Sequence, residues 1–335
     1  MNDLPLPTYL QVEPSGRCNL LCRMCPIRFR TDLPKNGSPA LMDFRLFAEL
    51  LDGFPGLEKL HLQGLGEPLL HPRFFDMAAF ARKRGLVVTT STNLTLLDET
   101  QARECVISGL NELHISVDGT SAETYEWIRT GADYRTLKSN LELLVKTRRR
   151  MSSSTPVLKL VMVIMRKNLA ELPDLVDLAK EWDMEEVFVQ HLSQEFSEPD
   201  LSEKVLTMRN FVEEQTLLHE NPQRIARYFG AARSKARKAG IRLRLPKTEA
   251  SKQAPDRSGR ERCDWPWSGI YVSWTGQVMP CCMAASPDRV SFGSLAEKPV
   301  RDIWNGPEYL SFREQLQSRR PPRICRECSI YRGIF

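Results

Sequence analysis

Along the first two thirds of the chain, short apolar runs typical of strands alternate with longer segments in which apolar residues have helical spacing. Six short apolar runs, rich in Val, Ile and Leu, are typical of buried strands and lie at 8–12, 57–62, 86–90, 113–117, 158–165 and 187–192. Between them lie longer segments in which apolar residues recur at helical spacing. Strands that alternate with helices predict an α/β fold with a parallel sheet covered by helices.

Capping residues and glycines mark the predicted helix ends. Asp43 can cap a helix that runs to residue 51, and Gly85 and Gly109 suit the positions after helices over 72–84 and 97–108. Further helices are predicted over 134–149 and 169–182. Six strand–helix units are fewer than the eight of a closed barrel, so we expect an open, partial (β/α)6 barrel. The chemistry of such sheets lies at the carboxyl ends of the strands.

The remainder of the chain differs in composition from the barrel unit, which we place at 8–195. Residues 196–262 form a helical, basic connection with a polar linker over 247–262, and a cysteine-rich segment follows over 263–335. Between Arg224 and Arg244 there are eight Lys or Arg residues and no acidic residue. This run indicates a solvated helix face, with a docking surface for an acidic partner as the alternative. A segment as small as 263–335 needs a metal staple to be stable.

Composition narrows the class of protein. The chain has 335 residues, 41% of them hydrophobic, and a net charge of +5, which is too small to indicate a nucleic-acid partner. No apolar run is long enough to span a membrane, and the first residues lack the features of a signal peptide. We therefore expect a cytoplasmic protein with no membrane partner. In that reducing compartment the nine cysteines are not a disulfide set, and the two clusters at 18–25 and 263–328 indicate metal ligands.

Three cysteines follow the first predicted strand. Cys18, Cys22 and Cys25 have the spacing C-x3-C-x2-C, and no fourth cysteine lies nearby. Three thiolates can hold three irons of a 4Fe-4S cluster and leave the fourth iron open, whereas ferredoxin spacings supply four ligands. Structural zinc is the alternative, but it needs four ligands and this loop has no His.

The triad resembles the signature of the radical S-adenosylmethionine (SAM) superfamily. Gly66-Glu67-Pro68 resembles the family segment after the second strand, although Leu65 replaces a Gly. Thr92-Asn93 is similar to the segment ending the third strand, with Leu94 in place of a Gly. Residues 115–119, Ile-Ser-Val-Asp-Gly, and the pair Arg129-x-Gly131 resemble the subgroup that carries C-terminal auxiliary clusters. The resemblance covers most of residues 8–192.

The resemblance implies a set of cofactor contacts. Glu67 and the backbone around Gly66 would meet the methionine amino group of SAM. Ser116 and Asp118 would contact the ribose and its surroundings. The expected cofactor-binding residues are Gly66, Glu67, Asn93, Ser116, Asp118 and Gln190 near strand ends and Arg129 in the helix region after the fourth strand. For Gln190 simple solvation is the alternative, and no catalytic acid, base or hydrogen donor is identified.

A second cysteine group lies in the C-terminal segment. Cys263-x17-Cys281-x43-Cys325-x2-Cys328 offers four thiolates, a spacing that resembles the SPASM and twitch extensions of this superfamily. It implies one auxiliary 4Fe-4S cluster, with structural zinc as the alternative. The distance from Gly276 favours Cys281 over Cys282 as the ligand. Cys105, in an apolar helical run, is expected to be a buried small hydrophobe.

The resemblance implies a radical SAM oxidoreductase. SAM would be cleaved reductively to a 5′-deoxyadenosyl radical that takes hydrogen from a substrate, with electrons from a donor such as flavodoxin or ferredoxin. The expected substrate is a small polar metabolite: a sugar, an aminocyclitol or a nucleoside. The alternatives are a peptide-modifying maturase, a redox-neutral epimerase or decarboxylase, and a non-enzymatic iron–sulfur or zinc-stabilised binding module.

Overall fold

A parallel sheet covered by helices forms the body of the protein. The computed structural model describes residues 4–34, 36–192, 203–247, 263–284, 286–326, 328, 330, 331 and 333. All six predicted strands are present: β1 Tyr9–Val12, β2 Lys59–Leu62, β3 Val87–Thr92, β4 Glu112–Ser116, β5 Val157–Ile164 and β6 Glu186–His191. Neighbouring strands pair in parallel in chain order, so the predicted α/β fold with a partial (β/α)6 barrel is confirmed.

Helices follow the strands, and their ends have the expected caps. The Asp43 carboxylate accepts hydrogen bonds from the amides of Arg45 and Leu46, while Gly85 and Gly109 adopt positive φ angles of 81° and 74°. The helices of the barrel are α1 Phe44–Asp52, α2 Phe74–Lys83, α3 Glu99–Ile107, α4 Ala122–Ile128, α5 Tyr134–Arg150 and α6 Leu172–Glu181. The short helix α4 was not predicted, and it leads to Arg129.

The sheet has opposite characters on its two faces. In β5 buried and half-buried residues alternate, and the buried side chains of Leu158, Leu160 and Met162 belong to the main apolar core. The intervening Lys159 and Val161 are half-buried on the face turned away from the helices. One face therefore stabilises the fold, and the other is free to line a cavity.

The predicted basic connection contains two helices. These are α7 Glu203–Gln215 and α8 Pro222–Ala239, followed by the strand β7 Arg242–Arg244, which pairs with β6. The basic face of α8 is partly neutralised, because Lys235 Nζ lies 3.0 Å from Asp174 Oδ1 on α6. The predicted linker lies outside the described residues, apart from Lys247. No described helix is long and apolar enough to cross a bilayer.

The C-terminal segment extends the barrel sheet. Strand β8 Gly269–Val272 follows the short helix α9 Trp265–Ser268, and β8 pairs in parallel with β1, Tyr9 opposite Gly269. Strand β9 Val278–Met279 pairs antiparallel with β8, as the hairpin-like sequence suggested, and helices α10 Val300–Trp304 and α11 Pro307–Gln317 follow. The nine strands therefore have the order β7-β6-β5-β4-β3-β2-β1-β8-β9. The predicted boundary at residue 263 stays a prediction, because this segment shares both the sheet and the main core with the barrel.

We expect the replacement of Ile270 by Ala to destabilise the barrel as well as the C-terminal segment. Ile270 is fully buried in β8 and pairs with Leu10, so the substitution leaves a cavity in the shared core. The free energy of unfolding in urea should fall by about 2–5 kcal/mol. The control is Ile107→Ala at a side chain that is 66% exposed, which should change it by no more than about 0.5 kcal/mol. Equal effects of the two substitutions would contradict the shared core.

Candidate functional site

The first cysteine triad lies in the loop after β1, at the carboxyl edge of the sheet. Backbone hydrogen bonds hold this loop against the segment after α4: the amide of Leu21 donates to Thr130 O at 2.9 Å, and that of Arg23 donates to Ile128 O at 2.9 Å. The 3-10 turn Pro26–Phe29 follows Cys25 directly. The middle of the loop is therefore held against the end of α4 and the residue after Arg129.

Cys22 is buried, Cys18 and Cys25 are half-buried, and the three thiols are close enough to affect one another's pKa. Burial is the main cause that raises the pKa of Cys18 to about 11 and that of Cys25 to about 12, with smaller contributions from the neighbouring thiols of the triad. Two donors point at Cys18 Sγ: the Leu20 amide at 3.4 Å and Asn93 Nδ2 at 3.7 Å. Binding of iron by these thiols must therefore release protons.

A buried arginine supplies positive charge to the triad. Arg129 Nη1 donates to Cys22 Sγ at 3.9 Å, and Arg129 Nε lies 2.8 Å from Asp118 Oδ2. Burial raises the pKa of Cys22, and the charge of Arg129 opposes this rise. Asp118 Oδ1 also accepts a hydrogen bond from the amide of Val163 at 2.8 Å. Asp118 and Arg129 thus lie beside Cys22 as an ion pair, and their predicted contacts to SAM stay predictions.

Glu67 joins the loop after β2 to the end of β3. Its carboxylate accepts hydrogen bonds from Thr92 Oγ1 at 2.5 Å and from the amides of Asn93 at 2.9 Å and Leu69 at 3.2 Å. Burial raises the pKa of Glu67, and these hydrogen bonds oppose the rise. The structure brings Glu67 and Asn93 together beside the triad.

Gly66 lies where no side chain fits. A Cβ at this position would overlap the carbonyl oxygens of Ser15 and Arg17, and the amide of Glu67 donates to Arg17 O at 2.8 Å. The segment after β2 is therefore packed directly on the backbone that leads into the triad.

The two remaining predicted residues lie on the sheet face turned away from the helices. Ser116 is the last residue of β4, and Gln190 lies in β6 opposite Val163. Both are half-buried. Their positions permit contact with a ligand at the carboxyl edge, and their roles stay predictions.

Sequence reasoning missed a buried group of charges beneath the triad loop, formed by Glu13, Arg30 and Asp32. Both carboxylate oxygens of Glu13 accept hydrogen bonds from Arg30, at 2.6 and 2.8 Å, and Arg30 Nη2 donates to Asp32 Oδ2 at 2.8 Å. Glu13 also accepts from the Leu65 amide at 3.0 Å, and Trp274 Nε1 donates to Asp32 at 3.2 Å. An acid directly after a strand was the only available signal, since the partner arginine is distant in sequence.

Sequence reasoning also missed a polar network on the sheet face turned away from the helices. Lys159 Nζ lies 2.8 Å from Glu112 Oε2 and 3.5 Å from Glu186 Oε2, and His114 Nε2 lies 3.1 Å from Glu112. The hydrogen bond from His114 is the main cause that lowers the pKa of Glu112 to about 2. Alternating polar residues in β4 were the signal for it. The network gives this face fixed charges and hydrogen-bonding groups.

The second cysteine group converges on one thiol. Burial raises the pKa of Cys281, and the thiols of Cys263, Cys282, Cys325 and Cys328 are close enough to raise it further. Cys282 also lies near the hydroxyls of Tyr9 in β1 and Tyr271 in β8. The choice of Cys281 over Cys282 as the fourth thiolate, made from the spacing to Gly276, stays a prediction.

The donor sets of the two sites fit iron–sulfur clusters. Each consists of thiols alone, the ligands that hold such clusters, and none of the nine cysteines forms a disulfide. Within the described ranges, no three His, Cys, Asp or Glu side chains converge closely enough for a single metal ion. Cys105 takes no part in either set and is buried in α3.

Comparisons with known proteins agree with this chemistry. The model of the radical SAM superfamily matches residues 12–179, and that of SPASM, an iron–sulfur cluster-binding domain, matches residues 263–329. The chain is 27% identical to the tungsten-containing aldehyde ferredoxin oxidoreductase cofactor-modifying protein of Pyrococcus furiosus, over 96% of this chain and 87% of that protein.

Two further relatives and one solved structure also span most of the chain. The AdoMet-dependent heme synthase of Methanosarcina barkeri is 28% identical over 97% of this chain and 88% of its own. The PqqA peptide cyclase of Xanthomonas euvesicatoria is 26% identical over 98% of this chain and 82% of its own. SuiB of Streptococcus suis, solved with its precursor peptide SuiA, has a TM-score of 0.71 at 15% identity over 99% of this chain and 72% of its own, which shows the fold.

We expect Gly66→Ala to disrupt the first cysteine site, because the added methyl group would push the loop after β2 away from Ser15 and Arg17. After anaerobic reconstitution, iron should fall from about eight to about four atoms per chain, on the basis of two 4Fe-4S clusters. Gly56→Ala is the matched control, since a Cβ at Gly56 has no neighbour within 4 Å. Full iron content in Gly66→Ala would refute the packing argument.

The two adjacent cysteines of the second group should behave differently. We expect Cys281→Ala to lose about four irons per chain, because its thiol lies among the other four of this group. Cys282→Ala should keep them. Iron and sulfide analysis of both variants measures the difference, and the reverse pattern would assign the ligand to Cys282.

Proposed function

Because the chain belongs to the radical SAM superfamily, we propose that it removes a hydrogen atom from an organic substrate and completes a net oxidation of that substrate. It is a radical SAM enzyme with a SPASM domain. The observation that carries the proposal is the pair of thiol-only sites, one with three cysteines and one with more. We infer the oxidative outcome from the second thiol site, and a redox-neutral epimerisation or decarboxylation is the alternative.

The cofactors of the enzyme are SAM, a 4Fe-4S cluster and auxiliary iron–sulfur chemistry in the SPASM domain. When bound, the first cluster supplies the electron that cleaves SAM into methionine and a 5′-deoxyadenosyl radical, which takes a hydrogen atom from the substrate. Cys18, Cys22 and Cys25 would hold this cluster. We propose that the electron comes from a donor such as flavodoxin or ferredoxin.

The residues around the triad position the loop and shield it from water. Arg129 offsets the negative charge of three thiolates, while Asp118 keeps the guanidinium in place beside Cys22. Glu67 is the proposed partner of the methionine ammonium group. Burial raises the pKa of Glu67, and the hydrogen bonds from the Leu69 and Asn93 amides oppose this rise, which favours the ionised carboxylate that this role requires.

The second cysteine group is suited to exchange of electrons. Cys263, Cys281, Cys325 and Cys328 offer four thiolates, which would leave no iron open for a substrate. Hydrogen abstraction removes one electron from the substrate, and a net oxidation requires that a second one leaves. We assign these four residues to one auxiliary 4Fe-4S cluster that accepts it.

The relatives favour a peptide substrate over the expected small polar metabolite. The chain aligns over 98% of its length with a peptide cyclase, and none of the three relatives described above is named for a sugar, an aminocyclitol or a nucleoside. A peptide is therefore the substrate class that we put first. The names of the cofactor-modifying protein and the heme synthase mention no peptide, so a non-peptide substrate is the second candidate.

We expect the triple variant Cys18/Cys22/Cys25→Ala to keep about four irons per chain and to form no 5′-deoxyadenosine with SAM and dithionite. Its second site remains intact while the ligands of the first are lost. Chromatography of the nucleoside product and iron analysis measure the two effects. Cys105→Ala is the control, because this buried thiol belongs to neither site. Absence of 5′-deoxyadenosine from the wild-type protein would overturn the proposed function.

A further inference from the structure

A cavity of about 400 Å³ lies between the triad loop and helix α7. Its described lining residues are Arg23, Arg28, Phe29, Thr207, Met208 and Phe211. This volume lies in the range of sites that hold small ligands or single side chains. The first three residues belong to the loop that carries the cysteines, so the cavity adjoins the first site.

The cavity lies on the functional side of the sheet. Met208 and Val212 of α7 form a small apolar cluster with Met165, which follows β5, and Leu192, which follows β6. Helix α7 therefore covers the carboxyl ends of these strands, where open α/β sheets bind their ligands. Met24, the neighbour of Cys25, packs on the same cluster.

Two arginines give the cavity a positive charge. Arg23 is held in place, since its Nε donates to Trp127 O at 2.7 Å and its guanidinium lies 4.5 Å from the Trp127 ring centre. Arg28 is exposed and has no ion pair with a described residue. None of the described lining residues is acidic. Among the described lining residues, nothing neutralises the charge of the two arginines.

The remaining wall is apolar and aromatic. Phe29, Met208 and Phe211 line it, and Phe211 lies against Trp127 with ring centres 5.9 Å apart. Guanidinium groups bind carboxylates in a planar, bidentate manner, while an aromatic wall binds an apolar body. The combination is complementary to an acid carried on an apolar group.

We propose that this cavity binds the carboxylate of the substrate together with the apolar group that carries it. The inference rests on the proposed function and narrows its substrate class to organic acids. The carboxylate belongs either to a peptide, as an acidic side chain, or to a free small acid. In both cases Arg28 and Arg23 hold the anion beside the triad loop, and α7 contacts the apolar part.

Binding of an aromatic anion tests the proposal. Anilinonaphthalene sulfonate is titrated by calorimetry into the reconstituted protein without SAM or dithionite, and its neutral counterpart phenylnaphthylamine serves as the comparison probe. We expect Arg28→Gln and Arg23→Gln to weaken binding of the anion about tenfold, on the scale of one charged hydrogen bond, and that of the neutral probe less than about twofold. Arg135→Gln, an exposed arginine on α5, is the matched control and should change neither.

Displacement of the anion identifies the source of the carboxylate. Acetyl-Phe-Glu-amide should displace the probe better than acetyl-Phe-Gln-amide if the substrate is an acidic peptide, and phenylbutyrate should do so better than phenylbutanamide if it is a free acid. Equal binding by wild type and Arg28→Gln, or no preference for either acid over its amide, would overturn the inference. Because this assay does not involve SAM cleavage, failure here leaves the proposed function intact if 5′-deoxyadenosine still forms.

Discussion

The buried ion pair between Arg30 and Glu13 is the constraint on which the first site depends. Glu13 directly follows β1 and Arg30 ends the cysteine loop, so their two hydrogen bonds close that loop onto the sheet. Both side chains are fully buried, and removal of one partner from such a pair typically costs about 3–5 kcal/mol because it leaves an unpaired charge. The same carboxylate accepts the Leu65 amide, which leads into the segment of Gly66 and Glu67.

Close contacts at two glycines also hold the segments of the first site together. A Cβ at Gly64 would overlap the side chain of Glu13, and one at Gly16 would overlap the indole of Trp274. Trp274 comes from the C-terminal segment and donates to Asp32, the second partner of Arg30. The first cysteine site is thus assembled from three distant parts of the chain, and glycines make that assembly sterically feasible.

Local patterns were sufficient to predict the barrel strands, and long-range contacts explain what was missed. The alternation in β5 and the caps at Asp43, Gly85 and Gly109 depend on neighbouring residues, so the sequence alone reveals them. The spacing of the cysteines likewise identified both thiol groups. The pairing of Arg129 with Asp118, by contrast, depends on how α4 returns to the end of β4, and the cavity depends on where α7 docks. Nothing in local periodicity encodes those distances.

The parallel pairing of β8 with β1 makes the SPASM segment a continuation of the barrel rather than a detachable module. Tyr9 lies opposite Gly269 and Val12 opposite Val272, so main-chain hydrogen bonds fix the offset between β1, which precedes the triad, and β8, the first strand of the segment that carries Cys281. A shift of one residue would turn every side chain of β8 to the other face. Recombination of such segments between enzymes is therefore limited by strand register: a transplanted C-terminal segment retains its spacing to the triad only where the host strand presents a matching edge.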